Sequence, residues 1–323
     1  MTRARRAAAA LFCTALAGAA AAADYPNRPV RLVVGFPAGG TPDVIARVIA
    51  GQVERQLGQS IVVDNRAGAN GIIGYEIVAR AAPDGYTLLH TTPAIVTNLT
   101  SFRALPYDIR RDYAPVTVIC MSDGYLLLAH PSFPATSVRE LIALAKNRDK
   151  PVTYGSPGVG SVQQLVAELF NVRAGVALMN VPYKGVAPAL NALIAGEVQT
   201  MFLPPTVAVP QVRAGKVRAL GFSGAKRWSV MPEVPTLIES GVPGFDVAGA
   251  WQAWFAPART PPALLERLQR EIGRAVEVPK VRDFLAEGGW RPVLSRPGEV
   301  RAFLDAEIAR YAEMAKAAGI KPE

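Results

Sequence analysis

The chain has 323 residues, 50% of them hydrophobic and 19% charged, with a formal net charge of +9. That balance excludes a disordered polymer and suffices for one large core or two ordinary ones. The basic residues are scattered rather than blocked, which weakens nucleic acid or a membrane surface as partners and leaves a modest field suited to steering a small anion.

Residues 1–23 read as a secretory signal peptide. Arg3, Arg5 and Arg6 form a basic head, Ala7 to Ala17 a short apolar stretch, and Ala21-Ala22-Ala23 a small-residue cleavage site. No later run reaches the roughly 18 apolar residues that a membrane span needs. Cleavage near Ala23 would remove three arginines and Cys13, lowering the charge from +9 to +6. Cys120 would then stand alone, so no internal disulfide is expected. Its apolar setting, VTVIC, marks it as a buried structural thiol.

The mature chain opens on alternating strands and helices. VRLVVGF reads as a strand, followed by a helix from Thr41 on which Ile45, Val48, Ile49, Val53 and Leu57 share a face. Gly58 can end that helix. SIVVDN is the next strand, then a glycine-rich turn, a helix over 72–81, a turn at 83–85 and the strand YTLLHTT. Such alternation predicts an α/β fold with parallel sheets, which binds ligands at the carboxyl ends of its strands.

Two strand-to-helix corners carry the most chemistry. In FPAGGTPD, Gly39 and Gly40 are expected to take positive φ, Thr41 to cap the helix, Pro42 to open it, and Asp43 to sit in the first turn. In YGSPGVGS, Ser156, Gly158, Gly160 and Ser161 offer the same kinds of donor. One such corner is explained by capping alone. Two facing each other make a carboxylate site between helix N-termini an equal reading. Thr91 and Thr92 could add hydroxyls at the end of their strand.

Farther on, Trp251 and Trp254 lie in a strand that returns to the first domain, and two amphipathic C-terminal helices are expected to pack there rather than bind ligand. A catalytic constellation is not evident. The two histidines, His90 and His130, lack metal-ligand spacing, and no Walker A, HExxH or GxSxG motif occurs. No cofactor or metal is therefore expected.

The chain resembles the Bug-type substrate-binding proteins of tripartite tricarboxylate transporters. The resemblance covers nearly all of residues 24–323 and rests on the order of seven stretches: YPNRPVRLVVGFPAGGTPDVIAR, LGQSIVVDNRAGANGIIG, APDGYTLL, LPYDIRRDYAPVT, VPYKGVAPAL, AGKVRALGFSGAKR and MPEVPTLIESGVPGF. It implies a two-domain, flytrap-like α/β protein of the periplasm that captures a small organic ligand, most often a carboxylate. Domain 1 would take 24–124 and 248–323, and domain 2 would take 125–247. The resemblance places Phe36, Ala38, Gly39, Gly40, Thr41 and Asp43 in the first ligand loop, with Asp43 orienting rather than touching an anion. It places Ser156, Gly158, Gly160 and Ser161 in the second, and Lys184 in the YKG segment.

This chain departs from the family at three points. Gln164 replaces a histidine, Gln199 an acid, and Leu203 an acid or asparagine. An apolar wall at Phe202 and Leu203 would admit an aromatic or uncharged ligand, and ordinary core packing explains the same residues equally well. The expected partners are that ligand and a transporter membrane component, for a monomeric receptor. The alternatives are a sensor that presents its closed form to a signalling partner, and a hydrolase-like enzyme.

Overall fold

The computed structural model describes residues 25–147, 150–247, 249–320 and 322. The expected signal peptide and its expected cleavage site lie outside them. The chain starts with three strand–helix pairs: β1 (Val30–Val34) with α1 (Thr41–Leu57), β2 (Ile61–Asn65) with α2 (Ile72–Ala79), and β3 (Thr87–Thr91) with α3 (Ala94–Ser101). β4 (Tyr113–Ser122) leads into β5 (Leu126–Ala129) and α4 (Val138–Ala145). Three more pairs follow: β6 (Thr153–Ser156) with α5 (Val162–Ala174), β7 (Met179–Pro182) with α6 (Val186–Ala195), and β8 (Thr200–Leu203) with α7 (Pro205–Arg213). After β9 (Arg218–Phe222) come β10 (Trp251–Pro257), α8 (Pro262–Glu277), α9 (Pro279–Glu287), β11 (Trp290–Pro292) and α10 (Pro297–Ala317).

The strands form two sheets, ordered β11-β4-β10-β3-β1-β2 and β7-β6-β8-β5-β9. Each contains the same unit. β1 pairs in parallel with β2 and β3 on either side, and β6 does the same with β7 and β8. The first strand of each unit is thus central, and chain direction diverges from it. That divergence opens a crevice at the carboxyl ends of the strands, where the helices begin. Antiparallel strands complete both sheets.

Burial follows the pattern that a two-sided sheet demands. Leu32, Val33 and Val34 are fully buried, as are Ile45, Ile49 and Val53 on one face of α1. α8 packs on α1 and β4, while α10 packs on α3 and β4 and also reaches α5 of the second layer. Trp251 and Trp254 are both buried in the core. Trp251 donates to Glu307 Oε2 at 2.7 Å. Cys120 is buried, which pushes its thiol pKa far up and leaves it inert.

The chain passes between the sheets twice, and the two passages are hydrogen-bonded to each other. Ser122 N donates to Ala250 O at 2.7 Å, and Gly249 N to Ser122 O at 3.0 Å. Ser223 Oγ accepts from Tyr125 N at 2.8 Å and donates to Val247 O at 2.6 Å.

Local structure corrects two expectations at the first corner. The cap of α1 is Gly40, with φ −79° and ψ 165°, so Gly40 is extended and only Gly39 has positive φ, +81°. Thr41 is the first helical residue and makes no capping bond. Asp43 supplies the reason, because its carboxylate reaches back to the loop and satisfies the Gly39 amide at 2.9 Å. α2 also ends at Ala79, two residues short of the expected end.

Candidate ligand-binding cleft

The first corner separates an internal brace from a group that lines the cavity. Asp43 is 3% exposed and accepts from Gly39 N, Arg47 Nε and Asn65 Nδ2, each at 2.9 Å. Burial pushes its pKa up, but these bonds outweigh it and hold the carboxyl below its usual value. The carboxylate therefore serves the loop. Thr41 beside it is buried, and its Oγ1 has no partner. Phe36 borders the cleft, whereas Ala38 and Gly39 are exposed and line neither the inner nor the outer part of it.

The second corner faces the first. Ser156 ends β6 with a fully buried, unpartnered Oγ. Gly158 borders the outer cleft. Gly160 is not a free donor, since its amide goes to Gln164 Oε1 at 2.8 Å. Its carbonyl accepts from Thr97 Oγ1 at 2.8 Å and Asn70 Nδ2 at 2.9 Å, both on the opposite layer. Ser161 caps α5, accepting from Gln164 N at 3.3 Å. Gln164 thus braces the loop. At the end of β3, Thr92 Oγ1 accepts from Ala94 N at 3.2 Å and lines the cleft, whereas Thr91 is buried behind it.

Between the layers lies an inner cavity of about 40 Å³. A wider one of about 590 Å³ shares Phe36, Asn70 and Pro157 with it and has exposed Lys184 on its rim. Five helices begin at the inner wall: α1 at Thr41, α3 behind its cap Pro93, α5 behind Ser161, α6 at Val186, and α7 behind its cap Pro204. Each contributes about half a positive charge at its amino terminus, although the first amides of α3 are already taken up by Thr92 and Pro93. Among the described residues, no lysine, arginine, histidine, aspartate or glutamate lines the inner cavity. Its field comes from backbone, with neutral side chains as donors.

Sequence reasoning missed one arm of this wall. Gln252 on β10 lines the inner cavity and bonds through Oε1 to His90 Nε2 at 2.8 Å. His90 Nδ1 accepts from Trp254 Nε1 at 3.0 Å. An indole N–H only donates, so His90 carries its single proton on Nε2. Burial pushes the His90 pKa down to about 4 and keeps the ring neutral. The partners are 162 and 164 residues apart, beyond any local motif. Phe202 and Leu203 do not form the expected apolar wall. Both pack into the cores and border neither cavity. Gln199 is turned to the Thr153 amide at 2.7 Å.

Two α/β domains closing on a neutral, donor-lined cavity define a solute-binding protein. Residues 45–320 match the tripartite tricarboxylate transporter family receptor, and the chain belongs to that family. It is 36% identical to the protein BugT of Bordetella pertussis, over 99% of each chain. Among solved structures, an R. palustris protein with adipate is 38% identical with a TM-score of 0.89, matching 93% of this chain and 100% of that one. MatC of Rhodopseudomonas palustris with bound malate is 34% identical with a TM-score of 0.84, matching 90% and 99%. The Bug-type resemblance seen in the sequence therefore holds.

Proposed function

We propose that the protein is exported to the periplasm and captures a small carboxylate between its domains for delivery to a tripartite membrane transporter. The observation that carries this reading is the meeting of five helix amino termini around a cavity without a charged side chain. Backbone amides and hydroxyls in that arrangement solvate an anion while leaving no fixed counter-charge to hold it irreversibly. The adipate and malate of the related structures fit the same chemistry. The inner cavity takes a carboxyl head, and the wider volume takes the rest of the molecule.

In this reading residues 24–124 and 248–323 form one domain and 125–247 the other. The amides of Gly40 and Thr41, the hydroxyls of Thr41, Thr92, Ser156 and Ser161, and the Phe36 and Gly158 walls receive the ligand. The site binds rather than catalyses, and the receptor works as a monomer. Delivery to a transporter rests on family membership and the secretory leader in the sequence.

The test is a thermal-shift screen of refolded, ligand-free mature chain against small carboxylates, amino acids and aromatic acids. A saturable rise with carboxylates, confirmed by calorimetry, is the expected result. A response confined to uncharged compounds would sink the carboxylate assignment.

A further inference from the structure

Gln252 is held by a network that does not serve the core alone. The residue is 2% exposed, yet it lines the inner cavity. Its Oε1 is committed to His90 Nε2. Its amide nitrogen makes no bond to any described residue. The orientation is dictated by chemistry. Trp254 can only donate, so His90 Nδ1 must accept, His90 Nε2 must donate, and Gln252 must meet it with oxygen. A glutamine free to rotate could offer a ligand either end of its amide. Here the turn is fixed from behind.

We propose that Gln252 is a specificity-determining donor, set by the Trp254–His90 pair, which makes the inner cavity accept a carboxylate head and reject a carboxamide of the same shape. The inference rests on the carboxylate reading and deepens it. Helix amides at this wall can only donate, and the unpartnered Thr41 hydroxyl can donate as well as accept. A carboxylate accepts from all of them. A carboxamide that keeps its oxygen on the helix amides would turn its N–H toward the fixed Gln252 donor and leave both unpaired, the arrangement that gives binding sites their strongest discrimination. His90 does not touch ligand in this scheme and acts as a positioning residue.

The experiment is calorimetric titration with succinate, malate and adipate, each with its half-amide and diamide. The wild-type chain should bind at least one diacid and exclude its diamide. Gln252→Glu replaces the donor by an acceptor of equal size. It should weaken the diacid at least tenfold and bind the half-amide more tightly than the diacid. Retained diacid affinity, or equal losses on both ligands, would overturn the proposal. His90→Phe provides a second variant should the first not fold. It frees Gln252 to turn, so the diamide should now bind while the diacid weakens several-fold. A His90→Phe chain that still excludes the diamide removes the positioning role. A wild-type chain that binds no diacid overturns the carboxylate reading and this inference together. A wild-type binder with an unaltered Gln252→Glu variant overturns this inference alone.

Discussion

Thr41 and Ser156 bury hydroxyls that no described residue satisfies. An unpaired buried hydroxyl costs about 1–3 kcal/mol, so these groups oppose closing on an empty cavity and favour closing on an acceptor. Thr41→Val should therefore do two opposite things. Carboxylate affinity should fall about tenfold by calorimetry, equivalent to about 1.4 kcal/mol. The ligand-free chain should become more compact in small-angle scattering. A valine variant with unchanged affinity would remove Thr41 from the site. His90 sets a second residue-scale expectation. Its pKa falls from 6.5 to about 4 on folding, so the unfolded chain takes up a proton that the native chain refuses. That contribution to stability is complete above pH 6.5 and is lost as pH falls toward 4, about 3 kcal/mol in all. Asp43, held below its usual value of 3.8, gives up its share only at still lower pH. Urea midpoints measured from pH 7.5 to pH 4 on wild-type and His90→Phe chains check this, with the phenylalanine variant expected to lose the upper part of the slope.

The elements show why the sequence exposed part of the site and hid the rest. α1 and α5 were legible because each follows an apolar strand, a glycine corner and a capping residue in unbroken order. α3 and α7 were not. α3 has eight residues, almost all buried, and so lacks an amphipathic stripe. α7 carries Pro210 in its interior, a residue that ordinarily argues against a helix. α9 and β11 escaped for a similar reason, being too short to establish a period. Gly185 before α6 carries the element-scale prediction. Its φ is +125°, and a Cβ there would stand 2.7 Å from Pro37 Cγ on the opposite lip. Gly185→Ala should hold the lips apart and cost at least tenfold in affinity, with no ligand-induced contraction. Gly175→Ala is the control: its φ is +65°, but nothing lies within 4 Å of the added carbon. It should lose some stability and keep its affinity. Equal binding losses in both would mean that backbone strain, not the lip contact, is responsible.

For the whole molecule, the two antiparallel crossings form a paired ribbon between the sheets, and α10 contacts elements of both layers. Sequence alternation gave the fold class, since local period decides which elements form. It could not give the Gln252 arm, whose residues meet only because β10 inserts between β3 and β4. It also left Leu203 open between a cavity wall and core packing, and the residue packs in the core. Scattering curves with and without a bound diacid should show a smaller radius of gyration in the complex. Identical curves with tight binding would rule out hinge closure.

The Gly160 carbonyl ties the lips together through Thr97 and Asn70 without any solute taking part. Under the proposed reading these bonds bias the protein toward its closed shape by a fixed amount that no solute supplies. Asn70 and Thr97 then set the background against which a membrane partner would read the loaded form, while the cavity donors set the gain above it. Loosening this latch would make a quieter receptor that needs more solute to answer.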